Sequence, residues 1–246
     1  KLKIDNLKNK ALSSVGNKIY KKLIEGYTTK QWGKKPSDLP QSIINRIPIR
    51  FNYNNDYFLN SDYQGIPKNG YTDIFKKLLS NKKITVKLNY KFNFKDINSE
   101  IPTLYTGPLD SLFNFKYGQL DWRSLKFKKK IISKTDFQGN SVINYADINT
   151  KYTRIHEPKH LHPERNYYSN KNLIIYEYPT KNNSDPYYPI NDSKNRLIHR
   201  KYKKLANKYK NFFFGGRLAD YAYYDMDMTI SAALKLYQNK IKKIFK

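Results

Sequence analysis

Only 8 of the 47 basic residues in this chain are arginine, so each one carries information. A guanidinium presents a planar fork of donors that grips two oxygens of a phosphate at once, which the point charge of lysine does not do. One arginine lies in a segment with further chemical potential, "FFFGGRLADYAYYDMDMTISAALK", Phe212 to Lys235. There an aromatic strand runs into Gly215-Gly216, where a side chain would block the close approach of a cofactor. Arg217 follows, then a tyrosine-rich passage, and Asp225 can cap the helix that begins there. The start of such a helix offers free N–H groups and partial positive charge, a setting for an anionic group. On its own the segment reads as an ordinary strand–turn–helix.

A second segment suggests a different chemistry. "HEPKH", His156 to His160, matches the HExxH zinc-hydrolase pattern. That pattern works on a helix, where two histidines four apart share one face. Pro158 in its middle would cost a helix interior about 3 kcal/mol, and the flanks read as strand and loop. No metal is expected, and His162 nearby does not supply the missing ligand. The chain has no cysteine, which excludes disulfides, thiol catalysis and zinc–thiolate sites. A third segment, "GYTTKQWG", holds Tyr27, Thr28 and Trp32. Flat amphipathic rings there can wall in a base and a sugar, although the commoner role of such a cluster is to pack a helix end on the core.

The elements that must position these residues follow from pattern. The chain has 246 residues, 39% hydrophobic and 15% aromatic, enough for one large or two small domains with a true core. No apolar run approaches the length of a membrane span, and the opening "KLKIDNLKNKALSSVG" is an amphipathic helix pattern without the apolar middle of a signal peptide. The net charge of +27 raises nucleic-acid binding. Lysine is nonetheless spread along the whole chain, and neither an RNA-binding aromatic motif nor a zinc-finger spacing is present. Helix is predicted over 1–30 with Gly26 as its stop, over about 71–79, over 194–210 and from about Asp225. Strands are predicted over Ile47–Tyr53, "ITVKLNYKF", "TLYTGP", "FKYGQLDWRSLKFKKK", "SVINYA", "TRIHEP", "NLIIYEYP" and "NFFFGG". The class is α+β with an antiparallel sheet in the middle.

Seven segments together resemble one family, the UDP-galactopyranose mutases. They are "GYTTKQWG" (26–33), "LPQSIINRIPIRF" (39–51), "NDYFLNSDYQGIPKNGYTDIF" (55–75), "YTGPLDSLFNFKYGQLDWRSLKF" (105–127), "QGNSVINYADINTKYTRIHEPKH" (138–160), "DPYYPINDSKN" (185–195) and "FFFGGRLADYAYYDMDMTISAAL" (212–234). They occur in the family's order with similar spacing and cover essentially the whole chain. The resemblance also accounts for "HEPKH", since a similar His/Glu/Lys-rich segment follows the family's arginine. One departure is large. The family begins with a strand–turn–helix carrying a GxGxxG loop for the FAD pyrophosphate, and these residues contain none. Residue 1 matches a point roughly a third of the way into a family member, so a histidine near the isoalloxazine is missing too. The chain is expected to be a C-terminal piece, or to start further upstream in its native form.

The resemblance implies roles residue by residue. Arg46 matches the mobile-loop arginine that closes over the substrate diphosphate, and Arg154 matches the second diphosphate arginine. On residue type alone both read as surface strand-edge positions. Thr28 and Trp32 match substrate contacts and Tyr27 a uridine neighbour. Tyr57, Tyr188 and Tyr223 match tyrosines that hydrogen-bond the diphosphate, and Asn144 matches an asparagine near the sugar. With 23 tyrosines, composition singles out none of these. Gly216 and Arg217 lie where the family meets the flavin, and Tyr224, Asp225 and Met226 match its FAD-binding helix start. Val86 resembles a residue whose backbone meets adenine in related flavoproteins.

The fold implied is a partial FAD-binding Rossmann-like domain (63–108 and 191–246), an inserted antiparallel-sheet substrate domain (48–62 and 109–190) and part of a helical lid domain with its mobile loop (1–47). The implied activity interconverts UDP-galactopyranose and UDP-galactofuranose, for galactofuranose-containing surface glycans, through a covalent adduct at N5 of reduced FAD. NAD(P)H serves only to prime the flavin. UDP-galactose is the expected partner, in a cytoplasmic setting. Nucleic acid and membrane insertion are not expected, and a homodimer is allowed, since relatives are often dimers. Alone, the chain is expected to bind UDP weakly, not to hold FAD tightly and not to turn over. Two alternatives stay open: another sugar nucleotide, or a non-catalytic basic protein of the same ancestry that binds nucleic acid or another polyanion.

Overall fold

A computed structural model describes residues 4–46 (backbone only at 45 and 46), 49–54, 56, 62–165, 170–181 and 185–245. In chain order the helices are α1 (Leu7–Ile19), α2 (Gly26–Trp32), α3 (Tyr71–Leu78), α4 (Leu109–Leu112), α5 (Ser193–Ala206) and α6 (Met226–Asn239). The strands are β1 (Thr103–Tyr105), β2 (Trp122–Ile132), β3 (Val142–Asn144), β4 (Arg154–His156), β5 (Asn172–Thr180), β6 (Tyr188–Pro189) and β7 (Phe212–Phe214). The chain divides into two compact units, Lys1–Tyr90 with Leu125–Pro179, and Lys91–Ser124 with Thr180–Lys246.

In the first unit, Asn6 caps α1 by accepting from the Asn9 amide at 2.9 Å, which satisfies one of the orphan donors of a helix start. The chain kinks at Gly16, whose φ is 74°, passes through a π-helical turn at Tyr20–Glu25 and enters α2. Gly26 does not stop the helix; it is the first residue of α2. A β-carbon on it would stand 2.3 Å from the carbonyl oxygen of Ala146, so the glycine serves close approach of two backbones. The stop comes at Gly33, left-handed at φ 62°, whose amide bonds the Thr29 carbonyl at 2.8 Å, as helix C-caps commonly do. Leu7, Ala11, Tyr20, Leu39 and Ile44 form the core beneath these helices. The remainder of the unit is a sheet with strand order β3-β4-β5-β2. β4 runs antiparallel to both neighbours, with Asn144 opposite Arg154 and Arg154 opposite Glu177.

Among the described residues, two predicted strands do not form in this unit. Residues 84–90 are irregular and Val86 is 51% exposed. Their alternation is a propensity that no neighbouring strand completes among the described residues. Residues 49–53 form no strand either, and 51–53 are bent. Arg50 turns its guanidinium back on the Asn54 side chain at 2.8 Å and on the Asp56 carbonyl, which folds the segment onto itself. Residues 47 and 48 lie outside the described residues.

In the second unit, β1 and β7 pair in parallel with Thr103 opposite Phe212. Leu109, Leu112, Phe113, Tyr202, Ala206, Phe212 and Ala219 make the core beside them. Asp192 caps α5 through the Asn195 amide at 2.9 Å. β6 pairs with the first residues of β2, Tyr188 opposite Arg123, and Tyr221 locks that pair by donating to the Asp121 and Ile190 carbonyls. α6 has no fully buried residue, and Met226, Met228, Ile230, Leu234 and Tyr237 are exposed along it. It packs on the glycine turn: a β-carbon at Gly215 would meet Leu236 at 2.8 Å.

Candidate functional site

Two side-chain groups gather the predicted residues, one in each unit. The first is built on the sheet. Because Asn144, Arg154 and Glu177 are direct register partners on β3, β4 and β5, their side chains share one face. Arg154 Nε donates to Asn144 Oδ1 at 3.1 Å, and its Nη1 lies 3.5 Å from Glu177 Oε2. Its guanidinium stands 5.8 Å from the ring centroid of Tyr27, on α2, within the range of a cation–π contact. Arg154, Asn144 and Tyr27 thus stand together in this unit.

Glu177 was not singled out in the sequence, although a lone acid among the apolar residues of "LIIYEYP" was a usable signal. It is 1% exposed. Besides Arg154, it takes His156 Nε2 at 3.0 Å and the Thr153 hydroxyl at 3.1 Å. Burial pushes its carboxyl up, but the His156 hydrogen bond, the Arg154 charge and the Thr153 hydroxyl outweigh that. Together they hold it below the usual carboxylate range. Lys30 was missed as well. Its ammonium is half-buried and donates to the carbonyls of Tyr145, Thr150 and Tyr152 at 2.7, 3.0 and 3.0 Å. It thereby ties α2 to the loop that leads into Arg154, and burial pulls its pKa down.

Thr28 is buried in α2, and Trp32 is half-buried against the Leu7–Ala11 core. Arg46 ends the 3-10 turn Gln41–Arg46, and its side chain lies outside the described residues, as does Tyr57. Val86 is exposed in irregular chain and joins neither group.

The second group surrounds the glycine turn. Arg217 donates from Nη1 to the Tyr224 carbonyl at 3.1 Å and from Nη2 to the Tyr187 carbonyl at 2.5 Å. Its guanidinium sits 4.7 Å from the Tyr223 ring centroid and 5.8 Å from that of Tyr188. Those two rings stack, 5.3 Å apart and 7° from parallel. Gly216, at φ 89°, gives its amide to Asp220 Oδ2 at 3.1 Å, and the Tyr224 hydroxyl reaches the same oxygen at 3.4 Å. Burial pushes the Asp220 carboxyl up. Asp225 occupies the N-cap position of α6 but forms no side-chain capping bond, and Met226, in the first turn, is exposed.

The donor set at this turn fits one edge of a flavin. The start of α6 offers main-chain amides of the kind that suit an electron-rich ring edge, and Gly216 adopts a backbone that favours glycine. Gly215 has a different reason from the one its sequence suggested: the space beside it is filled by Leu236. The 246 residues hold no GxGxxG to cradle a pyrophosphate.

"HEPKH" forms a strand end and a 3-10 turn, Pro158–Leu161. Its two histidines serve different carboxylates. His156 faces Glu177, while His160 Nε2 lies 3.3 Å from Asp136 and 3.4 Å from Glu157. Asp136, Glu157 and His160 bring three potential ligand atoms within 4.8 Å of one another. The Lys159 ammonium already pairs with both carboxylates, 3.3 Å from Asp136 and 3.5 Å from Glu157.

Comparison with known proteins gives one family. Residues 22–223 match the family described as UDP-galactopyranose mutase. A probable UDP-galactopyranose mutase of Klebsiella pneumoniae is 40% identical over 225 residues, 92% of this chain and 58% of that protein. The dTDP-fucopyranose mutase of Escherichia coli is 34% identical, over 96% of this chain and 64% of its own length. The UDP-galactopyranose mutase of Mycoplasma genitalium is 34% identical, over 91% and 60%. A solved structure of reduced UDP-galactopyranose mutase has the same fold at a TM-score of 0.65 and 12% identity, over 91% of this chain and 64% of that one. The chain therefore spans about three-fifths of the length of these relatives. Among the described residues no helix is long and apolar enough to cross a membrane. A match over most of the chain, at this identity and in this fold, makes it a member of the UDP-galactopyranose mutase family.

Proposed function

We propose that these residues form the substrate-gripping part of a flavin-dependent nucleotide-sugar mutase that interconverts UDP-galactopyranose and UDP-galactofuranose. The observation that carries this reading is Arg154. It is held on the sheet face by Asn144 and Glu177 with Tyr27 beside it, a fixed fork next to an aromatic ring. Such a pair suits a diphosphate joined to a nucleoside. Arg46 would add a second fork, and Tyr57, Tyr188 and Tyr223 hydroxyl contacts. Thr28 and Trp32 would wall the uridine side.

FAD is the expected cofactor; Gly216, Arg217, Tyr224, Asp225 and Met226 would hold its flavin, and the backbone of Val86 would contact its adenine. When bound in its reduced form, primed by NAD(P)H, it supplies the nucleophile that the chain's own side chains lack. These residues orient the sugar nucleotide and balance the charge of the departing diphosphate. The three-part organisation, with a lid over 1–47, a sheet domain over 48–62 and 109–190 and flavin-domain residues over 63–108 and 191–246, belongs to the same reading. So do a cytoplasmic setting, a homodimer and a role in galactofuranose-containing glycans. The relative named dTDP-fucopyranose mutase favours one second reading, the same ring interconversion on another sugar nucleotide.

The test is equilibrium binding by the purified chain. Weak UDP binding, competed by UDP-galactose and reduced by Arg154→Ala, is expected, with little retained FAD and no turnover. Salt-sensitive binding to random DNA that UDP fails to displace would overturn the reading in favour of a polyanion-binding protein.

A further inference from the structure

We infer that Glu177 is a positioning residue. It fixes the plane of the Arg154 guanidinium, with His156 as the counter-brace, so that Arg154 meets a phosphoryl group already oriented. The inference rests on the reading of Arg154 as a diphosphate clamp.

The geometry divides the carboxylate's work. Oε1 accepts from the buried Thr153 hydroxyl at 3.1 Å, which fixes the carboxylate plane from within the sheet. Oε2 is shared, with His156 Nε2 at 3.0 Å on one side and Arg154 Nη1 at 3.5 Å on the other. His156 is itself set by strand alternation, two residues from Arg154 on the same face of β4, and its ring stands edge-on to Phe127 with centroids 6.3 Å apart. The Arg154 Nε is engaged on the opposite flank by Asn144 at 3.1 Å. The guanidinium is therefore held along two edges by groups on both neighbouring strands.

An arginine on a flexible stem loses rotamer entropy whenever it grips an anion. Here that loss is incurred at folding, because a buried acid directly across the ladder holds the fork before any ligand arrives. A buried carboxylate would otherwise be costly unless paired, and its pairing places Arg154 and His156 on one face. The first histidine of the HExxH lookalike thus has a role: it holds the acid that holds the arginine.

The experiment compares UDP and uridine binding, together with the Arg154 Nε–H signal in NMR, across the parent chain, Glu177→Gln, Glu177→Asp and Arg154→Ala. In Glu177→Gln the UDP affinity is expected to fall about tenfold, the weight of one charge-assisted hydrogen bond, while uridine affinity is unchanged. The Nε–H signal, sharp in the parent chain, is expected to broaden. Glu177→Asp keeps the charge but withdraws it by one methylene, and is expected to show the same selective loss should the glutamine variant fail to fold. An unchanged Nε–H signal, or equal losses for UDP and uridine in a folded variant, overturns the positioning role. If Arg154→Ala leaves UDP affinity intact, the clamp reading itself fails. If Arg154→Ala weakens UDP and neither Glu177 variant does, only the positioning role fails.

Discussion

Gly26 lies so close to Ala146 that a β-carbon on it would stand 2.3 Å from the Ala146 carbonyl oxygen. Two backbones far apart in sequence, the first turn of α2 and the loop after β3, are pressed together there. Replacing glycine by alanine in a helix ordinarily stabilises by up to about 1 kcal/mol. Here Gly26→Ala is expected to destabilise by about 1–3 kcal/mol, the usual cost of overpacking. Urea unfolding of the two proteins decides the sign.

Lys30 closes the same junction with three carbonyl bonds. Lys30→Met keeps the stem and removes the donors, leaving three half-buried acceptors. A loss of about 2–4 kcal/mol is expected from unpaired groups of this kind. Chemical denaturation measures it, and Lys30→Arg should recover only part, since a planar fork does not reproduce three convergent bonds.

Glu177 and Asp110 are expected to give opposite pH dependences. The Glu177 carboxyl is held below the usual range by His156, Arg154 and Thr153, against the upward push of burial. Its contribution is therefore present above the ordinary carboxylate value and lost as pH falls through the folded value. Burial dominates at Asp110 and pushes its carboxyl up, although the Leu120 and Ser111 amides oppose it. Between its ordinary and its raised value the folded chain binds the extra proton, so this group favours folding as pH falls. Thermal melts between about pH 3 and 6 should show a shallower acid decline in Glu177→Gln and a steeper one in Asp110→Asn.

Arg217 bonds two carbonyls and stacks on Tyr223. Arg217→Lys keeps the charge but loses the fork, and a destabilisation of about 1–3 kcal/mol is expected. The tyrosine circular dichroism of the Tyr188–Tyr223 stack should weaken with it.

Both carboxylates of the Asp136, Glu157 and His160 cluster are paired with the Lys159 ammonium. Treatment with EDTA is expected to leave the melting temperature unchanged, and added zinc to raise it by less than about 2 °C. A stoichiometric rise of several degrees would show that a metal displaces the lysine.

The part of the site legible in the sequence is the part written as pattern. Alternation located β4 and β5, hence the face that carries Arg154. Pro158 announced that "HEPKH" was no zinc helix, and it forms a strand end and a turn. What stayed hidden depended on partners. A glycine reads alike whether it ends a helix or admits another backbone, so Gly26 was taken for a stop. Residues 84–90 alternate like a strand, yet no strand beside them completes a ladder among the described residues. Glu177 and Lys30 matter through groups 23 and 115 residues away in sequence, a distance that local pattern does not span.

The parallel pair of β1 and β7 has a bearing on how the chain behaves in a tube. Two strands leave two outer edges among the described residues, each with backbone groups able to recruit a strand of another molecule. The exposed apolar row of α6 adds adhesive surface. Against this stands mutual repulsion from a net charge of +27, which keeps molecules apart in dilute buffer and fades once the screening length shrinks to about 3 Å in 1 M salt. The chain should therefore be most soluble at low ionic strength and self-associate as salt rises, the reverse of a protein whose aggregation is driven by attraction between opposite charges.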